Sequence, residues 1–193
     1  MQPKTCVTAK DLGAKSAASF KPARMFEVLI HKIHEYEGTV NELTGDGIMA
    51  LFGAPVALED APQRAIRSSL AIHREIAKFS DQLKQEKKAA PSVKMRIGIH
   101  TGPVVAGIVG VKKYAYDIWG DTVNLAARME SSSEAGRINI SGTTYSLVKD
   151  KFNCTYRGKI QAKNKGEMDM YFVEDEIPLH DVIGPLTSVA NQL

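Results

Sequence analysis

Apolar positions change period several times along this chain, and each change marks an element. Phe26, Leu29, Ile30 and Ile33 recur at helical spacing, which predicts a helix over about residues 23–37 with Gly38 as its stop. Short apolar runs at 40–43 and 48–52 flank Gly45-Asp46-Gly47, and an Asp-Gly pair between two such runs predicts a β-hairpin. The longest helical pattern is EDAPQRAIRSSLAIHREIAKFSDQLKQEKK. In it Pro62 suits a first turn, and Ala65, Ile66, Leu70, Ile72, Ile76 and Phe79 form an apolar stripe. Residues 93–99 alternate as a half-buried strand does, and a second short strand is expected around 104–109. Further on, VNLAARM has the composition of a helix. Residues 138–140 then read as a strand, followed by a short helix capped near Ser141.

The two ends are less periodic. Val7 and Thr8 suggest a stub of strand, and Gly13 and Pro22 interrupt anything longer, so residues 1–22 are expected to be an irregular segment. CTYRGKIQAKNKGEMDMYFVED reads as two strands joined by the polar turn Lys163-Asn164-Lys165-Gly166, and residues 177–193 as a tail outside the domain. The domain expected between them, 23–176, runs helix, hairpin, helix, strand, strand, helix, strand, helix, hairpin. That order suggests an α+β fold, with an antiparallel sheet and helices packed on one face.

Composition narrows the function classes. With 193 residues, 44% of them hydrophobic, the chain suits one globular domain. Its 25 basic against 22 acidic residues give a net charge of +3, too mild to argue for nucleic acid or an anionic membrane as a partner. No apolar run approaches the roughly 18 residues of a membrane span, and no secretory h-region opens the chain. A cytoplasmic location is therefore expected. Cys6 and Cys154 match no metal or redox spacing, and Cys154 sits in an apolar stretch as a small hydrophobe would. His31 and His34 share a predicted helix without a third ligand, and His100 reads as structural.

The candidate chemistry is densest in YAYDIWGDTVNLAARME, residues 114–130. Asp121 or Thr122 can cap the helix that follows Gly120. Asn124 and Arg128 lie four apart and so project from one helical face, forming a donor cluster suited to an oxygen that gains negative charge. A local cap and a solvated surface cation would carry the same spacing. Asp117, before the turn, can accept from an amino group. Asp46, at the hairpin tip, is either a turn residue or a carboxylate able to hold a divalent cation against phosphates.

YDIWGDTVNLAARME resembles the signature segment of the class III nucleotidyl cyclases. TGDGIMALFG resembles that family's second metal motif, and RGK..AKNKGEMDMYFV its closing hairpin. The resemblance implies a ferredoxin-like βαββαβ core and conversion of a nucleoside triphosphate to the 3′,5′-cyclic monophosphate and pyrophosphate, with magnesium or manganese as cofactor. It implies that Asp46 ligates the metal, that Asn124 and Arg128 contact ribose and triphosphate, that Asp117 reads the base, and that Lys163, or Lys165 in its place, reaches the phosphates. It also implies a homodimer in which the metal carboxylate of one copy faces the Asn/Arg pair of the other.

Two departures from the family pattern stand out. The first metal carboxylate belongs on an opening strand of the form F-x-D-I-x-G-F-T, about forty-four residues before the second. No such motif occurs here: Asp11 is the nearby acid, and AKDLGAKS does not match. A metal site with one carboxylate should bind magnesium poorly, so little cyclic AMP is expected from this chain. The second departure is Glu42, which stands where adenylyl cyclases carry the Lys that accompanies Asp117. Asp117 favours ATP, since it would repel the guanine carbonyl. A guanylate cyclase and a catalytically impaired, dimerising regulatory module are the alternatives.

Overall fold

The computed structural model describes residues 3–11, 22–86, 92–109, 115–162 and 166–178. Its elements are β1 (Lys4–Asp11), α1 (Pro22–Glu35), β2 (Thr39–Thr44), β3 (Gly47–Phe52), α2 (Ala61–Glu86), β4 (Met95–Gly102), β5 (Val105–Val109), β6 (Ala115–Trp119), α3 (Asp121–Ser131), β7 (Ile138–Ser141), α4 (Gly142–Val148), β8 (Phe152–Ala162) and β9 (Gly166–Glu176). Seven strands form one sheet in the order β2-β3-β1-β4-β7-β9-β8. Only the β4–β7 pair is parallel. The first six elements form the antiparallel βαββαβ core. β5 and β6 form a separate two-stranded ribbon, whose second strand is not apparent from the apolar pattern.

Residues 1–22, expected to be irregular, contain a central strand. β1 lies between β3 and β4 and pairs with both along its length. Its residues are small or polar: Thr5, Cys6, Val7 and Ala9 are all buried. A strand packed on both edges and both faces needs no bulky side chains, so its apolar pattern is faint. Thr5 Oγ1 lies 3.1 Å from Thr101 Oγ1, and Thr144 Oγ1 donates to Thr101 Oγ1 at 3.1 Å. Ser141 joins Thr144 at 3.2 Å and His100 Nδ1 at 2.7 Å. This buried hydroxyl chain ties β1, β4, β7 and α4 together and gives His100 the structural role its sequence context suggests.

The main core lies on one face of the sheet. Val7, Ala9, Ile48, Ala50, Phe52, Ile97 and Ile99 meet Met25, Leu29 and Ile33 of α1, Ala65, Ile66, Ile72 and Ile76 of α2, and Val148 of α4. The expectation of helices on one face holds for these three. Helix α3 lies against the opposite face, where Cys6, Leu51, Val104 and Ala126 form a second apolar cluster. Burial raises the Cys6 thiol to about 12 and the Cys154 thiol to about 11, so both behave as small hydrophobes. No described helix is long and apolar enough to cross a membrane.

Glycines set two close approaches. α1 ends on Glu37, a non-glycine residue at φ 62°, with Gly38 N donating to Ile33 O at 2.8 Å. Gly38 instead makes room for Phe52, whose ring would stand 2.6 Å from an added Cβ. On the other face, a Cβ at Gly98 would lie 2.0 Å from Glu130 N and 2.5 Å from Ala126 O. Those are backbone atoms of α3, and they cannot rotate away. Gly98→Ala is therefore expected to cost about 1–3 kcal/mol, read as a fall in Tm of several degrees by thermal unfolding. An unchanged Tm would show that α3 is free to shift.

Candidate active site

Helix α3 is held in place along its whole length. Its N-cap is Gly120, at φ 138°, and no side chain caps it. Thr122, one of the two expected caps, is used otherwise: its Oγ1 donates to Pro103 O at 2.6 Å, which fixes the first turn to the β4–β5 connection. Leu125, Ala126 and Met129 are buried beneath the helix. At its far end Asn139 Nδ2 donates to Met129 O at 2.8 Å, and Arg96 Nε pairs with the buried Glu130 at 2.9 Å. With these positions turned inward, Asn124 is exposed and Arg128 half-buried. Arg128 Nη1 donates to Gln161 O at 3.1 Å, close to the end of β8. Lys163 and Lys165, just beyond it, lie outside the described residues. The 3.6-residue period thus does present Asn124 and Arg128 on an accessible face, and it aims Arg128 at the hairpin that carries the lysines.

The two base-reading candidates sit on neighbouring elements. Asp117 occupies the middle of β6, opposite Gly107 of β5, and β6 feeds through Gly120 directly into α3. Edge strand β2 approaches β6. Glu42 is exposed on β2, immediately after the bulge at 40/42. The strands of Glu42 and Asp117, the α3 face and the end of β8 therefore belong to one region of the protomer.

The carboxylate at the β2–β3 turn belongs to a different cluster. Asp46 is one-third exposed, and its carboxylate pairs with Lys10 Nζ at 3.2 Å. Register explains the meeting. Lys10 stands opposite Gly47, and a Cβ at Gly47 would lie 2.8 Å from Ala9 O, so the turn sits tight against β1. The segment expected to be irregular therefore does supply an opening strand: β1 lies inside the sheet, between β3 and β4, and ends at Asp11, opposite Met95 of β4.

The donor set fits a magnesium-like ion. Such an ion keeps most of its octahedral shell as water and phosphate oxygen and takes one or two carboxylates from protein. Asp46, an accessible acid at a tight hairpin tip, supplies one such carboxylate. Among the described residues no group of three His, Cys, Asp or Glu converges, so an all-protein cage is not what this region offers.

Residues 23–175 match the family described as the adenylate and guanylate cyclase catalytic domain. The chain is 38% identical over 144 residues to guanylate cyclase soluble subunit beta-2 of Rattus norvegicus, covering 70% of this chain and 20% of that protein. It is 33% identical over 164 residues to an adenylate cyclase of Mycobacterium tuberculosis, covering 81% of this chain and 36% of that protein. The chain therefore spans roughly a fifth to a third of these relatives. Among solved structures, the guanylate cyclase domain of RhGC from Catenaria anguillulae in complex with GTP superposes with a TM-score of 0.81 at 28% identity, covering 91% of this chain and 98% of that one. The adenylyl cyclase CyaB from P. aeruginosa gives 0.78 at 29% identity, covering 90% and 94%. A fold with a βαββαβ core, the signature helix across its second face and a family match over most of its length lead to one assignment: this chain belongs to the adenylate and guanylate cyclase catalytic domain family.

Proposed function

We propose that this chain cyclises ATP to 3′,5′-cyclic AMP and pyrophosphate for intracellular signalling, at sites shared between two copies of itself. The observation that carries the proposal is the helix α3 face. Asn124 and Arg128 are held outward by a fully anchored helix, with Arg128 directed to the end of β8. A scaffold without chemistry has no use for that rigidity.

In the reaction the ribose 3′-oxygen attacks the α-phosphorus. The new O–P bond forms as the bond to the pyrophosphate oxygen breaks, and the hydroxyl proton leaves to solvent. Asn124 orients the ribose so that attack is in line. Arg128 stabilises the charge that builds on the phosphate oxygens, where a preorganised donor contributes most. Lys163 neutralises the outer phosphates. A bound magnesium or manganese ion, held by Asp46, would make the hydroxyl easier to deprotonate and offset phosphate charge. The presence of the opening strand β1 beside the β2–β3 turn supports an active enzyme in place of an impaired module.

The base is read by Asp117 and Glu42. Adenine offers its amino group to Asp117, which favours ATP; Glu42 suits the ring N–H and amino group of guanine and favours GTP as the second substrate. The curated relatives include both kinds of enzyme.

Two outcomes follow from these assignments. With ATP and manganese the full chain forms cyclic AMP, measured by chromatography of the product, at a rate that exceeds the rate of cyclic GMP formation from GTP. A chain that makes neither product contradicts the proposal, and a preference for GTP transfers the base assignment to Glu42. Separately, Asn124→Ala and Arg128→Ala each reduce kcat by about 10²–10³-fold with Tm unchanged, while Asp46→Asn abolishes metal-dependent turnover. A wild-type rate in Arg128→Ala would take that residue out of the site.

A further inference from the structure

The metal-site reading leaves one charge unexplained. Lys10 Nζ lies 3.2 Å from Asp46 Oδ2, and among the described residues Lys10 is the ion-pair partner Asp46 has. The two side chains are 42% and 33% exposed, so neither is buried by the pairing. A surface pair of that kind contributes little to stability. Its position is nonetheless fixed by backbone. Lys10 is opposite Gly47 in the β1–β3 register, Gly47 admits the turn to within contact of Ala9 O, and Asp11 follows Lys10 directly. The ammonium thus sits on the carboxylate proposed to hold the metal.

We propose that Lys10 is the resident counter-cation of this site and competes with the divalent ion for Asp46. The inference rests on the assignment of Asp46 as a metal ligand. An ammonium and a divalent ion cannot both lie against one carboxylate oxygen without strong mutual repulsion. In the nucleotide-free chain Lys10 offsets the charge of Asp46. To bind, the metal must displace it. Lys10 therefore weakens metal binding in the empty site and makes occupancy depend on the phosphates that arrive with the metal. Its role is to position and tune, not to touch the reacting atoms.

The test uses the full chain without nucleotide and Mn²⁺ as the probe, with free Mn²⁺ read from its electron paramagnetic resonance signal. Lys10→Met is expected to bind Mn²⁺ about three- to thirtyfold more tightly than wild type at low salt, and Lys10→Arg, which keeps the charge, to bind as wild type does. Thermal unfolding gives a second readout: in chelator Lys10→Met has the lower Tm, and it gains more from added Mn²⁺. A purely structural lysine would lower Tm without tightening Mn²⁺ binding. Equal or weaker Mn²⁺ binding by Lys10→Met overturns the proposal, and if Asp46→Asn still abolishes binding and the wild-type chain still forms cyclic nucleotide, the cyclase reading stands. Mn²⁺ binding that survives Asp46→Asn removes the metal assignment itself, and the Lys10 proposal with it.

Discussion

The contact on which the rest of this molecule depends is backbone against backbone, where Gly98 of β4 meets the α3 backbone at Ala126 and Glu130. No side chain separates the two elements there, so the helix can neither slide nor roll without losing the fit. Thr122 at one end and Glu130 at the other complete the clamp. A helix on the second face of the sheet, with its own small cluster of Cys6, Leu51, Val104 and Ala126 beneath it, acquires its orientation from the same strands that build the main core. The polar side chains it exposes are therefore placed with the precision of the core.

The charged groups fall into two clusters. The β1 terminus and the β2–β3 turn carry the Lys10–Asp46 pair. The α3 face and the end of β8 carry Asn124 and Arg128, with the partner contact of Arg128 made to Gln161 and that of Asp46 to Lys10. A reaction that needs both a metal-binding acid and phosphate-binding donors is thereby suited to two copies meeting head to tail, with the acid of one copy facing the donors of the other at each of two sites. This division is the physical content of the proposed homodimer.

The elements with strong periodicity were legible from sequence, and the central strand was not. Helices α1 and α2 follow their Leu and Ile spacing, the β2–β3 hairpin follows Asp46-Gly47, and Ser141 caps α4 by accepting from Thr144 N as its composition suggests. β1 escaped because Thr5, Cys6, Thr8 and Lys10 hide a strand that is buried for topological reasons, between β3 and β4, and not because its side chains are large. The placement of α3 on the second face was also out of reach, since it turns on a missing Cβ at Gly98 that no amphipathic pattern reveals. The pairing of Asn124 with Arg128 could be read directly, because four residues on a helix fix their relation whatever the helix packs against.

The central claim, a composite site built from the acidic end of one copy and the α3 face of another, is tested most directly by subunit complementation. Asp46→Asn and Arg128→Ala, each inactive alone, are mixed under conditions that allow exchange, and cyclic nucleotide formation is measured. Random reassociation gives heterodimers with one intact site, and about a quarter of the wild-type rate should return. A mixture as inactive as its two components would contradict the account.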